Sequence, residues 1–128
     1  MDMQTESRLR GLMGLCVRAR QAVFGEDGCM KTIRAGDCGV LLLDSGASKA
    51  TQEKYMGVCR NASAHLELLP EGLLHEATGK PGVAMAVLKG GLADQIRQQL
   101  SGEPQGKAAA RRMKPMKSAN NGGGASVE

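Results

Sequence analysis

Apolar positions along the chain follow two patterns, one with a helical period and one continuous. Between residues 8 and 19 the apolar side chains recur every three or four positions, which predicts an amphipathic helix. A short segment at residues 21–24 predicts a brief strand, and a second helical pattern follows it. We expect this second helix to end at Gly36, because glycine is favoured just after the last turn.

The middle of the chain contains a continuous apolar run, residues 39–43, that ends at Asp44. Such a run is typical of a strand that is covered on both faces. Ser48 is a good N-cap residue, and we expect it to begin a third helix that continues to Arg60. The inward side of this helix is predicted to carry Tyr55, Met56 and Cys59.

The chain then continues to alternate between strand and helix. Residues 65–69 predict a strand with Leu66 and Leu68 on one face, and residues 70–79 predict a short helix. Residues 83–88 predict a further strand, and a four-residue spacing of apolar side chains predicts a last helix up to Leu100. Strands separated by such helices predict an α/β fold, a three-layer α/β/α sandwich around a small mixed sheet of about four strands.

Aromatic side chains are scarce, since the chain has one Tyr, one Phe and no Trp. This composition disfavours proteins that stack bases on aromatic side chains, and it predicts an aliphatic core. No apolar run approaches the ~20 residues of a membrane helix. The N-terminal segment also lacks the apolar stretch of a secretion signal, so we expect a cytoplasmic protein with no membrane partner.

The residue types that most often carry catalysis or bind metals form no recognisable motif. Four cysteines lack the close spacing of a zinc site, and we expect buried thiols and no metal at Cys16, Cys29, Cys38 and Cys59. Neither a nucleotide-binding nor a nucleophile motif occurs. A pair of Cys59 and His65 is conceivable, but a histidine beside a strand is more often structural. We therefore expect no enzyme activity and no cofactor.

Charge is unevenly divided along the chain. Residues 1–100 carry 12 Lys and Arg against 11 Asp and Glu, whereas residues 101–128 carry 5 against 2. The second segment also has few large apolar side chains and contains a glycine run. We therefore expect a folded domain over residues 1–100 and a disordered basic tail over residues 101–128. Such a tail either attracts a polyanion such as RNA or only keeps the protein soluble.

The start of the second helix is the most informative stretch, because Gly25 precedes Glu26 and Asp27 there. Glycine allows another backbone to approach closely, and the free N–H groups of a first helical turn favour phosphate. Lys31 and Arg34 share the polar face, and the carboxylates could accept hydrogen bonds from base edges. An ordinary helix shows the same pattern, since acidic residues favour its start and basic residues its exposed face.

Several short segments follow one another in a characteristic order. They are residues 12–20 (LMGLCVRAR), Gly25-Glu26, residues 31–36 (KTIRAG) and the apolar strand that ends at Asp44. Together they resemble the kink-turn RNA-binding ribosomal proteins of the L-seven-Ae and L-thirty-e superfamily, in particular the small bacterial branch called YlxQ. The likeness extends over residues 7–100. It implies that Gly25, Glu26, Asp27 and Lys31 form the start of an RNA-reading helix.

The same resemblance implies a second contact, a loop before the last strand that packs on an unstacked nucleotide. Its counterpart here contains Lys80, Pro81 and Gly82, although Pro-Gly also occurs in ordinary turns. The chain departs from the archaeal and eukaryotic members, which have Asn-Glu where it has Asp27-Gly28. A glutamate that reads a sheared guanine is therefore missing, so that either Glu26 replaces it or the specificity is relaxed.

The leading hypothesis is a non-catalytic RNA-binding protein of ribosomal-protein type that recognises structured, kink-turn-like RNA. We expect a cytoplasmic monomer whose partners are structured RNA, ribosomal RNA included, and the ribosome. Lys31, Arg34 and Lys80 would supply affinity. Two alternatives stay open: a substrate-recognition domain related to RNA ribose methyltransferases, and a protein-interaction module that has lost RNA binding.

Overall fold

A computed structural model describes residues 2–101 of the chain. The predicted tail, residues 101–128, therefore lies outside the described residues except for Ser101. One compact unit of the described residues ends at Arg97. The described elements are α1 (Met3–Arg18), β1 (Ala22–Phe24), α2 (Glu26–Arg34), β2 (Cys38–Asp44), α3 (Lys49–Ala62), β3 (Leu66–Leu69), α4 (Leu73–Thr78), β4 (Ala84–Leu88) and α5 (Gly91–Leu100).

The four strands form one mixed sheet in the order β1-β4-β2-β3. β4 is antiparallel to both of its neighbours, β1 and β2, whereas β2 and β3 run parallel. Helices α2 and α3 pack together on one side of the sheet, and α1 packs against α4, which also contacts β2. The predicted α/β fold with a four-stranded mixed sheet is confirmed.

β2 is the most deeply buried strand, since every residue in it except Gly39 is buried. Leu41 and Leu43 belong to a core cluster with side chains from α2 and α3, among them Ile33 and Tyr55. Because successive side chains of a strand point to opposite faces, Leu42 is directed to the other side of the sheet. The prediction of a strand covered on both faces is thus confirmed.

Helix ends follow from local sequence. The hydroxyl of Ser48 accepts a hydrogen bond from the backbone N–H of Thr51 at 3.1 Å, which confirms it as the N-cap of α3. Gly36, just beyond α2, has the positive φ of 80° that favours glycine there. α1 begins earlier than predicted, because the Asp2 carboxylate accepts a hydrogen bond from Thr5 N at 2.7 Å.

One predicted inward position, Met56, is wrong, and the face of β3 that carries Leu66 and Leu68 is only partly covered. Met56 is 39% exposed, because it lies about 100° around α3 from the buried Tyr55 and so falls on the solvent flank. Leu68 is 43% exposed, since β3 is an edge strand and its fully buried residue is Leu69. Leu66 is only half-buried, against the core cluster.

All four cysteines are free and buried, which confirms the prediction that they act as small core side chains. Burial raises the pKa of each thiol, to about 12 for Cys38 and to about 11 for Cys59. Such thiols stay protonated at neutral pH and are poor metal ligands and nucleophiles. Between residues 2 and 101 no helix is long and apolar enough to cross a lipid bilayer.

Candidate functional site

One end of the sheet gathers four connections of the chain. Phe24 pairs with Met85, so the end of β1 lies beside the start of β4. Asp44 pairs with Leu69, so β2 and the parallel β3 finish at that same end. We call this region the loop end; it consists of Gly25, residues 45–48, residues 70–72 and residues 79–83. The two predicted RNA contacts, the start of α2 and the loop around Lys80, therefore lie at one end of the molecule.

Gly25 forms the N-cap of α2 with φ 87° and ψ 146°, a conformation that strains any other residue. Its carbonyl accepts the first helical hydrogen bond, from Cys29 N at 2.9 Å. Glycine has no side chain that could cap the helix, and no side-chain hydrogen bond replaces it. The N–H groups of the first turn therefore remain available, and the positive end of the helix dipole favours an anion beside them.

Glu26 is not a free carboxylate in this structure. It forms an ion pair with Lys54 of α3, and both side chains are about half exposed, 50% and 58% respectively. Sequence reasoning did not identify Lys54, because its closeness to Glu26 arises only when α3 packs against α2. If Glu26 contacts a base, either its ion pair with Lys54 breaks or the base binds the two side chains together.

A groove of about 380 Å³ runs along the exposed side of α2. It brings together four of the residues predicted from sequence, and it adds Met30 and Lys54. The lining residues are Glu26, Asp27, Met30, Lys31, Arg34 and Lys54. The lining therefore combines three cations and two carboxylates with the apolar Met30, which is 6% exposed.

The loop between α4 and β4 is held by its own hydrogen bonds. Gly79 and Gly82 have positive φ values of 71° and 106°, which explains the two glycines in this short connection. Lys80 N donates to Thr78 Oγ1 at 3.1 Å, and the Lys80 carbonyl lies 3.1 Å from His75 Nδ1. Lys80, Pro81 and Gly82 are exposed, but they do not line the groove beside α2.

Asp44 connects three parts of the loop end and was predicted only as the end of a strand. Its Oδ1 accepts a hydrogen bond from Gly46 N at 2.7 Å, and its Oδ2 accepts one from Gly72 N at 3.0 Å. The Asp44 backbone N–H donates to the Val83 carbonyl at 2.7 Å. The Asp44 side chain is buried, and both of its carboxylate oxygens accept hydrogen bonds. It therefore holds these loops in place from the interior of the protein.

Gly28 stands where the archaeal and eukaryotic proteins that the sequence resembles have a glutamate. A Cβ atom at this position would lie 2.9 Å from Val23 Cγ1, so α2 rests on β1 at a distance that only glycine permits. A glutamate here would bring its Cβ against Val23, so the valine side chain or α2 would have to shift. The exposed acidic side chains at the start of this helix are those of Glu26 and Asp27.

No protein-family model and no curated protein matches the sequence. The fold, in contrast, is shared with solved structures. A protein of unknown function from Bacillus halodurans superposes with a TM-score of 0.69 at 25% identity, over 73% of this chain and 96% of that one. The 15.5kD RNA binding protein of Giardia lamblia superposes with a TM-score of 0.63 at 12% identity, over 79% and 88% of the two chains.

A larger protein contains the same fold as a part. The Pelota protein of Thermoplasma acidophilum matches 66% of this chain with a TM-score of 0.54 and 9% identity. This chain spans 28% of the Pelota chain, so the likeness concerns one section of that protein. The chain therefore has a fold that also occurs in an RNA-binding protein and as one part of Pelota.

Proposed function

We propose that the chain is a non-catalytic, cytoplasmic RNA-binding protein that recognises structured, kink-turn-like RNA in or around the ribosome. We place it in the L-seven-Ae superfamily, beside the small bacterial branch called YlxQ. The observation that carries this proposal is the start of α2, where an exposed glycine N-cap leaves the first turn open next to a groove lined by three cations. The fold shared with an RNA-binding protein from Giardia lamblia supports it.

In this proposal the backbone of the RNA lies against the first turn of α2. Phosphate oxygens accept hydrogen bonds from the free N–H groups, and Gly25 permits the approach because it has no side chain. Lys31 is one turn further along α2 and neutralises the next phosphate. Arg34 and Lys54 line the same groove and extend this cationic path.

The carboxylates at the helix start would supply base recognition. Asp27 is exposed and, among residues 2–101, takes part in none of the ion pairs. A carboxylate accepts hydrogen bonds from exocyclic amino groups on base edges, which is a contact that phosphates cannot make. Lys80, on the neighbouring loop, would hold a nucleotide that has left the stack.

The test is titration of the full chain with a kink-turn RNA and with a plain duplex, each at two salt concentrations. Lys31→Ala should weaken binding to both RNAs alike and lower the slope of log K against log salt by about 1. Asp27→Ala should cost roughly 1–3 kcal/mol on the kink-turn and little on the duplex. Gly25→Val should weaken both, with a thermal melt to confirm that the variant folds.

Lys49→Ala is the matched control, because this exposed lysine on α3 does not line the groove. It should reduce affinity less than Lys31→Ala. If Gly25→Val and Lys31→Ala bind both RNAs like the parent, the site at α2 is wrong. If every variant binds the duplex and the kink-turn equally, the RNA binding is general and the kink-turn preference is rejected.

A further inference from the structure

A second cavity lies at the end of the sheet opposite the loop end. Its volume is about 490 Å³, and it is bordered by the starts of β2 and β3 and by the residues that follow β4. We call it the Arg97 cavity; its lining residues are Cys38, Gly39, Ser63, Ala64, His65, Lys89, Gly90, Asp94 and Arg97. None of them belongs to the groove beside α2.

Gly39 is the reason that these elements converge. A Cβ atom on Gly39 would lie 2.6 Å from the Cβ of Ala93 and 3.1 Å from the Cα of Lys89. Any side chain here would therefore displace α5 from β2. The missing side chain lets α5 approach the sheet closely, and Arg97, one turn beyond Ala93, reaches the same cavity as Lys89.

The walls of the Arg97 cavity are held by backbone hydrogen bonds. Lys89 N donates to the Asp37 carbonyl at 3.0 Å, which fixes the segment after β4. On the other wall Ser63 ends α3 in the left-handed conformation with φ 56°, and Ala64 N donates to the Cys59 carbonyl at 2.8 Å. Both walls of the cavity are therefore fixed by backbone hydrogen bonds of the fold.

Hydrogen-bond donors and positive charge dominate its chemistry. Lys89 and Arg97 are exposed cations, and among residues 2–101 neither forms an ion pair, nor does Asp94, the one carboxylate in the lining. Ser63 adds a hydroxyl group. His65 adds an imidazole whose Nε2 already pairs with Glu67. An anion with several acceptor oxygens would satisfy these donors.

We propose that the Arg97 cavity binds a phosphate group, carried either by a nucleic-acid backbone or by a small phosphorylated molecule. The planar guanidinium of Arg97 matches two phosphate oxygens at once, and Lys89 supplies a second positive charge. The Ser63 hydroxyl completes the set of donors. This site is distinct from the start of α2, which lies at the other end of the sheet, and the two sites share no lining residue.

The first arm of the test titrates the full chain with inorganic phosphate at constant ionic strength and follows backbone amide shifts by NMR. We expect saturable shifts at Ser63, Ala64 and Gly90. Arg97→Gln and Lys89→Gln should each raise the dissociation constant by about tenfold, as expected for loss of a charged hydrogen-bond partner. Lys49→Gln, an exposed lysine outside the cavity, is the matched control and should leave the constant unchanged.

The second arm uses a short RNA duplex and the Lys31→Ala variant, in which the contact at α2 is weakened. If Arg97→Gln further weakens duplex binding, the phosphate comes from a nucleic-acid backbone; if only inorganic phosphate responds, the ligand is small. Either result supports the site. Phosphate shifts that do not saturate, or that are the same in Arg97→Gln and Lys89→Gln as in the parent, overturn it. Neither of these failures alters the Lys31→Ala result at α2.

Discussion

The Asp44 carboxylate accepts a hydrogen bond from the backbone N–H of Gly72 at 3.0 Å, which joins the end of β2 to the turn before α4. Its second oxygen is occupied by Gly46 N at 2.7 Å, and the residue is only 7% exposed. A buried carboxylate with both oxygens satisfied stabilises the fold, whereas donors left without it are costly. The positions of two loops at the proposed RNA site thus depend on one side chain.

Replacing Asp44 with alanine should lower the free energy of unfolding by about 3 kcal/mol, because two backbone donors lose a charged acceptor. Asp44→Asn should lower it less, since the amide oxygen can still accept one of the two hydrogen bonds. Denaturant unfolding measures both variants. Glu53→Ala, an exposed acidic residue on α3, is the control. A loss at Asp44→Ala no larger than at Glu53→Ala would show that the carboxylate does not hold the loops.

Gly28 and Gly57 are helical glycines with different surroundings, and they should respond oppositely to alanine. Alanine at Gly57 meets nothing within 4 Å, so the free energy of unfolding should rise by about 1 kcal/mol through helix propensity alone. Alanine at Gly28 would lie 2.9 Å from Val23 Cγ1. Because valine is branched at Cβ and cannot turn away easily, we expect Gly28→Ala to destabilise the fold.

A double-mutant cycle separates this clash from other effects. In a Val23→Ala background the obstacle is absent, and Gly28→Ala should then stabilise the protein by up to about 1 kcal/mol. Thermal or denaturant unfolding of the four proteins gives the coupling energy. A coupling near zero would mean that Val23 does not set the distance between α2 and β1.

The ion pair between Glu26 and Lys54 should matter for RNA binding and not for stability. Both side chains are about half exposed, so Lys54→Gln should change the free energy of unfolding by less than about 1 kcal/mol. It leaves the Glu26 charge unpaired beside the RNA backbone, however, and should weaken binding at low salt. Glu26→Gln in the same chain should recover part of that loss. Equal affinities of the single and double variants would exclude this compensation.

Alkaline pH should unfold the protein through its buried thiols. Burial raises the pKa of Cys59 to about 11 and that of Cys38 to about 12, against an ordinary value of 9.0. The neutral thiols therefore stabilise the folded state fully below pH 9, and this contribution is lost as pH rises through the folded values. Melting temperatures recorded from pH 8 to pH 11 should fall steadily. Cys59→Ala should flatten the decline, and an unchanged slope in that variant would assign it to other groups.

Local sequence predicted most of the fold because the relevant preferences are local. The apolar run before Asp44 corresponds to a strand buried on both faces. Ser48 caps α3 because its hydroxyl can accept a hydrogen bond from the first turn. Met56 was misplaced because a residue adjacent to Tyr55 in sequence lies on a different flank of the helix. The edge position of β3, which exposes Leu68, depends on strand order, and no short pattern encodes that order.

Sequence analysis named the residues of α2 that line the groove, but it did not name the residues from other elements that contact them or shape the loop end. Lys31 and Arg34 lie on the exposed side of one helix, so helical spacing alone identified them. Lys54 approaches Glu26 through packing between two helices, and Asp44 reaches Gly72 across 28 positions of the chain. Such contacts follow from tertiary structure, and a single sequence gives no indication of them.

The central position of β4 has a consequence for the order of events during folding. Among residues 2–101, β4 is the last strand in sequence, yet it lies between β1 and β2, and Phe24 of β1 pairs with Met85 of β4. A nascent chain that has not yet extended past Leu88 has no strand to place beside β1, and one edge of β2 stays unpaired. The sheet is therefore completed only after β4 is available, and pairings this distant in sequence slow folding.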